Sequence, residues 1–383
     1  MYLDRTYRPR RRNRGAGRFW PLYLLIALGI ILYEQQPSWL SSQELQPTPI
    51  PTRSAISFLA DAEDALFAGD YTSALAAYAQ ATRMEPNNVD ALVAQSEIQL
   101  IFRDPQKAFT YAQQAVAAAP KNPKALTAQA RAFNWLEKNE EAVNAALDAL
   151  DISPQFANAL AVLGEIYTDE GNYAKAEEYL NQAQAIEPEN LTLLRNRAYL
   201  YERRRQFEEA ITAYDAAIAA APYRFDLLLE KGLLYRVQLL DFQKANSAYE
   251  RAVRIYKAPV TLDALGESLY NAGDHLQAVR VLRQAVEIDP NYGPAQVHLG
   301  MVLYVRRNYE DAVIALEKGI KTLGDKARLE QIYTLGLAYA YKEPSECDQA
   351  VIWLRKALEM DPTNATALSG MRTCEAVPTP EPN

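Results

Sequence analysis

The 383-residue chain has little of what builds a chemical centre. It contains two Cys and two His, which excludes a multi-cysteine zinc site, an iron–sulfur cluster and a disulfide-dense scaffold. Glycine is scarce at 15 residues, while alanine makes up about a sixth of the chain. That bias suits helices packed closely on helices and argues against a sheet protein. No Gly-x-Ser-x-Gly, His-Glu-x-x-His, Walker loop or dinucleotide fingerprint occurs, so neither a catalytic constellation nor a phosphate cradle is present in the sequence. Gly15-Ala-Gly17 sits in a basic arm with no strand before it and carries no nucleotide meaning. The expectation is a protein that is not an enzyme, with no cofactor, no metal and no small-molecule substrate.

The charge is unevenly spread. Residues 1–18 hold seven Arg against Asp4, giving +6, so a net −8 leaves −8 − 6 = −14 for the rest. An acidic body does not attract nucleic acid. The arm is followed by Phe19–Tyr33, fifteen residues without a charge. This is shorter than the roughly 20 that span a bilayer, but Trp20, Tyr23 and Tyr33 suit its interfaces and Arg18 can snorkel. The reading is a basic cytoplasmic arm (1–18) and a transmembrane signal anchor (19–33). A cleaved secretory signal has the same layout, and a buried soluble helix is the third alternative. No small-x-small cleavage site follows Tyr33. Only Arg53 lies in the twenty residues after the span, so the arginine asymmetry keeps the N-terminus cytoplasmic and exports the remainder. Residues 34–54, with Pro37, Pro47, Pro49 and Pro51, read as a semi-rigid spacer.

From residue 55 the chain repeats. Alanines 74, 108, 142, 176, 210, 245, 278, 312 and 350 recur at about 34 residues. Twelve residues earlier in most repeats stands a small residue: Ala62, Ser96, Ala130, Gly164, Ala198, Gly232, Gly266, Gly300 and Gly336. Proline recurs at 86, 120, 154, 188, 222, 290 and 362, where it stops a helix. Inside each repeat, apolar residues return every three or four positions, the helical period. The pattern predicts nine helical hairpins over 55–362, each too small to bury its own face and stabilised by stacking. Ala245 arrives one residue late, which predicts an enlarged turn at Leu239-Leu240-Asp241. Residues 363–376 read as a capping helix and 377–383 as a disordered tail. Asn190-Leu-Thr192 and Asn364-Ala-Thr366 match the glycan acceptor pattern, but each starts a helix, where capping is the better reading.

Leu163-Gly164-x-x-Tyr167, Gly171-x-Tyr173, Ala176, Ala183 and Pro188 resemble the tetratricopeptide repeat family, and the resemblance covers about four-fifths of the chain. It implies an all-α, right-handed α-solenoid whose first helices line a concave groove that takes extended peptides or partner segments. On those helices the groove candidates are Asn134 and Trp135; Thr168 and Asp169; Arg195, Tyr199, Glu202 and Arg203; Arg236; Asp263, Glu267 and Tyr270; His298 and Tyr304; and Tyr333 with Tyr341. Tyr and Arg favour interface centres, so Trp135, Arg195, Tyr199, Arg203, Arg236, Tyr270, Tyr304, Tyr333 and Tyr341 form the expected partner-binding set. The plain alternative is that the tyrosines fill gaps between helices. The expected role is a membrane-anchored scaffold whose exported array binds a protein or peptide, and the alternative is an extracytoplasmic glycan or cell-wall binder.

Cys347 and Cys374 are placed by the repeat on antiparallel neighbours joined by a turn at Pro362–Asn364. At 1.5 Å per residue they reach roughly 20 and 15 Å along one direction, close enough for a disulfide candidate in an exported domain. Two unrelated cysteines are the alternative.

Overall fold

The computed structural model describes residues 19–35 and 53–375. The basic arm, most of the spacer and the C-terminal tail lie outside the described residues. The chain divides into an N-terminal segment (1–53) and a body (54–383).

The N-terminal segment contributes α1 (Trp20–Glu34), with every residue exposed. Its 15 residues amount to about 22 Å of helix, against a hydrocarbon core of about 30 Å. Among the described residues no helix is long and apolar enough to cross a membrane.

The body is a stack of nine hairpins with no strand among the described residues. Repeat one pairs α2 (Ala55–Phe67) with α3 (Tyr71–Met84), and repeat two α4 (Val89–Ile101) with α5 (Pro105–Ala118). Repeat three pairs α6 (Pro123–Trp135) with α7 (Asn139–Ile152), and repeat four α8 (Ala157–Asp169) with α9 (Tyr173–Ile186). Repeat five pairs α10 (Leu191–Arg203) with α11 (Phe207–Ala220), and repeat six α12 (Phe225–Leu233) with α13 (Phe242–Ile255). Then come α14 (Pro259–Asn271) with α15 (His275–Ile288), α16 (Gly293–Val305) with α17 (Tyr309–Leu323), and α18 (Leu329–Tyr341) with α19 (Cys347–Met360). A last helix, α20 (Ala365–Glu375), covers the open end.

The repeated small residue is where the two helices of a hairpin touch. A Cβ placed on Gly164 would fall 2.6 Å from Leu180 of the partner helix. Leu282, Leu316 and Leu354 fill the same space over Gly266, Gly300 and Gly336. The helix axes approach until a leucine occupies the volume a side chain would need.

Between the helices of repeats one to eight, one residue takes a left-handed conformation, and in repeats one, two, four, six, seven and eight an Asp or Asn then caps the second helix. Gly171 (φ 76°) is followed by Asn172, which accepts from Lys175 N–H. Arg103, Glu137, Arg205 and Arg307 occupy the same conformation without being glycine, each at an energetic disadvantage. Asn190 and Asn364 likewise accept from the backbone N–H groups of Leu193 and Ala367, three residues on.

The late Ala245 has a different origin from the enlarged turn expected at Leu239–Asp241. The extra residue is taken up one step earlier, as a π-helical turn over Leu234–Gln238 that continues α12. One residue inserted into a helix is accommodated as a π-bulge, and Leu240 then adopts the usual left-handed turn conformation (φ 53°).

The stack also closes on itself. The first turn of repeat one packs against the junctions flanking repeat six, where Tyr71 meets Phe225 at 5.1 Å and Tyr256 at 5.3 Å between ring centres. Phe102 of repeat two stacks on both Phe225 and Tyr256, and Phe67 meets Tyr223 edge-on at 4.9 Å. Repeats one to six therefore surround a common interior lined by their first helices.

At the far end, Cys347 on α19 and Cys374 on α20 are joined as a disulfide, with Cα atoms 5.3 Å apart.

Candidate partner-binding site

The enclosed interior is crossed by a ladder of charges, one rung per repeat. Arg131 of α6 pairs with Glu97 of α4, and its Nε lies 3.5 Å from Glu165 Oε2 of α8. Arg195 of α10 donates to Glu165 Oε1 at 2.5 Å and to Glu230 of α12 at 2.7 Å. Arg224 adds a bidentate pair with Asp226. Beyond the closure the ladder continues with Arg236–Glu267 at 2.9 Å and His298–Asp263 at 2.7 Å.

Burial alone would raise the Glu165 carboxyl, but the guanidiniums of Arg195 and Arg131 overcome it and hold it below the ordinary carboxylate value. Burial likewise opposes the charge on Arg195, and the Glu230 and Glu165 carboxylates outweigh it. Both groups stay ionised because neither can lose its partner in an interior of low dielectric. At Glu202 the balance is reversed: burial pushes its carboxyl up and outweighs the Tyr214 hydroxyl, which donates to it at 3.1 Å, and the Arg195 and Arg203 guanidiniums.

The ladder separates two cavities. The larger, about 610 Å³, opens at the turn ends of α6, α8 and α10. Five carboxylates line it (Glu137, Glu165, Asp169, Glu202 and Glu230) against two guanidiniums (Arg103 and Arg195). Trp135 and Tyr199 form aromatic wall. Tyr199 donates to Asp169 Oδ1 at 2.6 Å, Asn134 Nδ2 donates to Asp169 Oδ2 at 2.7 Å, and the Trp135 indole N–H donates to Glu165 at 3.3 Å. The smaller cavity, about 260 Å³, has the opposite sign, with Lys124, Arg131, Arg195 and Arg224 facing Glu97 alone. Among the described residues, no group of three or more His, Cys, Asp or Glu is placed to hold a metal ion.

Of the groove candidates, Trp135, Arg195 and Tyr199 line the larger cavity. Arg195 is only 9% exposed, so it braces the walls and does not reach into the space. Arg203 stands exposed outside the lining, and Arg236 is committed to Glu267. The tyrosines of the later repeats pack on one another and on their own turns. Tyr270 lies 5.6 Å from the His275 ring, and Tyr304 and Tyr341 both abut Tyr309. Tyr333 is half-buried against the core of these repeats. Burial, with the neighbouring hydroxyls of Tyr341, Tyr309 and Tyr333, pushes Tyr304 up to about 12. Thr168 is fully buried and returns its hydroxyl to Gly164 C=O at 2.7 Å, so it faces no groove. His298 is enclosed by Asp263 and Glu267.

Tetratricopeptide repeat profiles match residues 59–123, 185–225 and 195–260, residues 269–334, and residues 157–190. The chain belongs to the tetratricopeptide repeat family. It is 29% identical over 190 residues to the human cilia- and flagella-associated protein 70, a match covering 48% of this chain and 17% of that one. It is 23% identical over 247 residues to Hsp70-Hsp90 organizing protein 2 of Arabidopsis thaliana, covering 55% and 43% respectively. The chain thus spans less than half the length of either relative. The crystal structure of the Cut9–Hcn1 hetero-tetramer superposes with a TM-score of 0.57 at 17% identity, covering 76% of this chain and 56% of that one, a likeness of fold.

The groove candidates read from the sequence include Arg195, Arg236, Asp263, Glu267 and His298 but not Glu97, Arg131, Glu165 or Glu230, and nothing in that set joins these residues into a ladder. A signal for it was present: Glu97, Arg131 and Glu165 alternate in sign at the position after the small residue, 34 residues apart.

Proposed function

We propose that this tetratricopeptide array is a protein-interaction scaffold that receives a segment of a partner protein in the 610 Å³ cavity enclosed by repeats two to six. The observation that carries the proposal is the cavity itself. It lies on the first helices, falls in the roughly 300–1,000 Å³ range of ligand sites, and combines aromatic wall with fixed polar groups. The ladder holds those walls in place without a ligand, so little ordering is needed on binding. A glycan reading requires open ring faces, whereas Tyr304 and Tyr341 are turned to Tyr309.

The proposal includes a place for the array: anchored through 19–33, N-terminus cytoplasmic and repeats outside. Support comes from the arginine asymmetry, from the wholly exposed apolar side chains of α1 and from a disulfide, a bond that persists in oxidising compartments. A short span is accommodated by bilayer thinning and by snorkelling of Arg18.

Photoreactive side chains at Tyr199 and, as control, at exposed Ala174 test the site in intact cells. Adducts from position 199 and none from 174 are expected; adducts from 174 alone would move the site to the outer surface. A reporter active only outside the cytoplasm, fused after Asn383, should be active, and an inactive one with an active cytoplasmic counterpart would reverse the topology.

A further inference from the structure

We propose that the larger cavity receives a basic side chain of the partner segment, a lysine ammonium or an arginine guanidinium. The inference rests on the reading of this cavity as the partner site and names the chemistry it selects.

The balance of charge is the first observation. Of the two guanidiniums in the lining, Arg195 lies between Glu165 and Glu230 and is consumed by them. Glu137, Asp169 and Glu202 remain against Arg103. Asp169 takes its hydrogen bonds from the neutral amide of Asn134 and the neutral hydroxyl of Tyr199, and Glu202 from the neutral hydroxyl of Tyr214. Among the described residues no cation is hydrogen-bonded to either carboxylate, although Arg195 and Arg203 lie near enough to Glu202 to act on it through charge. An anionic ligand would meet uncompensated carboxylates, and a neutral one would leave them so.

The second observation is an acceptor with nothing to accept. Asn134 lines the cavity, is 6% exposed, and has its Nδ2 committed to Asp169. That bond fixes the amide orientation, and the Oδ1 on the other side finds no donor. Buried acceptors are normally paired. An ammonium brings three donors and a guanidinium five, with no acceptor, which matches a wall that offers oxygen atoms. The faces of Trp135 and Tyr199 add the quadrupole attraction that aromatic rings exert on cations. Burial raises the Glu202 carboxyl, with Arg195 and Arg203 acting in the opposite direction, and a cationic ligand would favour its charged form further. At 610 Å³ the space holds the side chain together with flanking backbone.

The test uses the purified full chain and three capped peptides, pentalysine, pentaglutamate and pentaserine, titrated calorimetrically at low salt. Pentalysine should bind at least tenfold more tightly than pentaserine, with pentaglutamate weakest. Asp169→Asn combined with Glu202→Gln should remove at least that tenfold preference while helicity and melting persist. Arg103→Gln, a change at an exposed turn, should tighten pentalysine several-fold, which keeps the test open should the double variant fold poorly. Glu178→Gln with Glu209→Gln removes two exposed charges from second helices and should change nothing. Equal binding of all three peptides, or a lysine preference that survives loss of Asp169 and Glu202, overturns the basic side chain and leaves the partner site standing. No binding by any peptide together with no adduct at Tyr199 overturns both.

Discussion

Tyr71, the first residue of α3, donates its hydroxyl hydrogen to the backbone carbonyl of Tyr223, 152 residues further along, at 3.0 Å. Its ring is fully buried between Phe102, Phe225 and Tyr256. This contact ties repeat one to repeat six. Tyr71→Phe should remove only the hydrogen bond, a loss of about 1 kcal/mol, whereas Tyr71→Ala should lose about 3–5 kcal/mol of ring packing. Amide exchange in α2 and α3 should accelerate in Tyr71→Ala with α16–α19 unchanged. Uniform acceleration along the array would contradict the closure.

Glu165→Gln should be among the most damaging isosteric changes in the body. It keeps the shape but leaves Arg131 and Arg195 sharing too little negative charge in a buried site. Loss of one partner from a buried ion pair is worth about 3–5 kcal/mol. A urea midpoint near wild type would mean that water compensates the guanidiniums. Replacing Glu165 and Arg195 together by apolar residues should recover part of the deficit.

His298 gives the array a pH-dependent contribution to stability. Burial lowers the imidazole pKa, but the Asp263 and Glu267 carboxylates prevail over burial and over the opposing Arg328, so the folded value lies above the ordinary one. Protonation therefore favours the fold. The contribution is complete below about pH 6.5, the unfolded value, and is lost as pH rises through the folded value. Wild type should melt above His298→Gln in mildly acidic buffer, with the gap narrowing in alkaline buffer. A gap that widens with pH would reverse the sign.

Reduction of the Cys347–Cys374 bond, which closes a separation of 27 residues, should remove about 3–4 kcal/mol on the chain-entropy estimate. The effect should be local, because α20 contacts only the end of the stack. Proteolysis near residue 375 should accelerate on reduction and in Cys374→Ser, and repeats one to six should keep their exchange protection. Two thiols that alkylate in the oxidised protein would remove the bridge.

What could be read from the sequence and what could not divides along the range of the interaction. The small residue at 164 and the alanine at 176 recur because helix against helix leaves room for nothing larger, and that constraint is local and periodic. The π-turn at 234–238 escaped because an extra residue shifts the downstream register identically wherever it enters. The closure escaped for a stronger reason. Tyr71 occupies the post-turn position held by Tyr173 and Tyr309 in other repeats, and only its distant partners distinguish it. The ladder lay between these cases: Glu97, Arg131 and Glu165 follow the repeat period, but the next rungs, Arg195 and Glu230, step out of it. Tyr270, Tyr304 and Tyr341 lie against neighbouring aromatic rings, contacts at the turns that the repeat period does not display.

The contact of Tyr71 with Tyr223 also determines where this protein can gain length. An open solenoid can add or lose a whole repeat anywhere, since each one meets only its neighbours. Between repeats one and six that freedom is gone: a hairpin added there would carry Phe225 and Tyr256 away from Tyr71, and one removed would drive them past it. Duplication within that block is incompatible with the architecture, whereas a hairpin added beyond repeat six, on the side that ends in α20, leaves the contact of Tyr71 with Tyr223 untouched. The first six repeats form a block of fixed copy number, and the last three form the extensible arm.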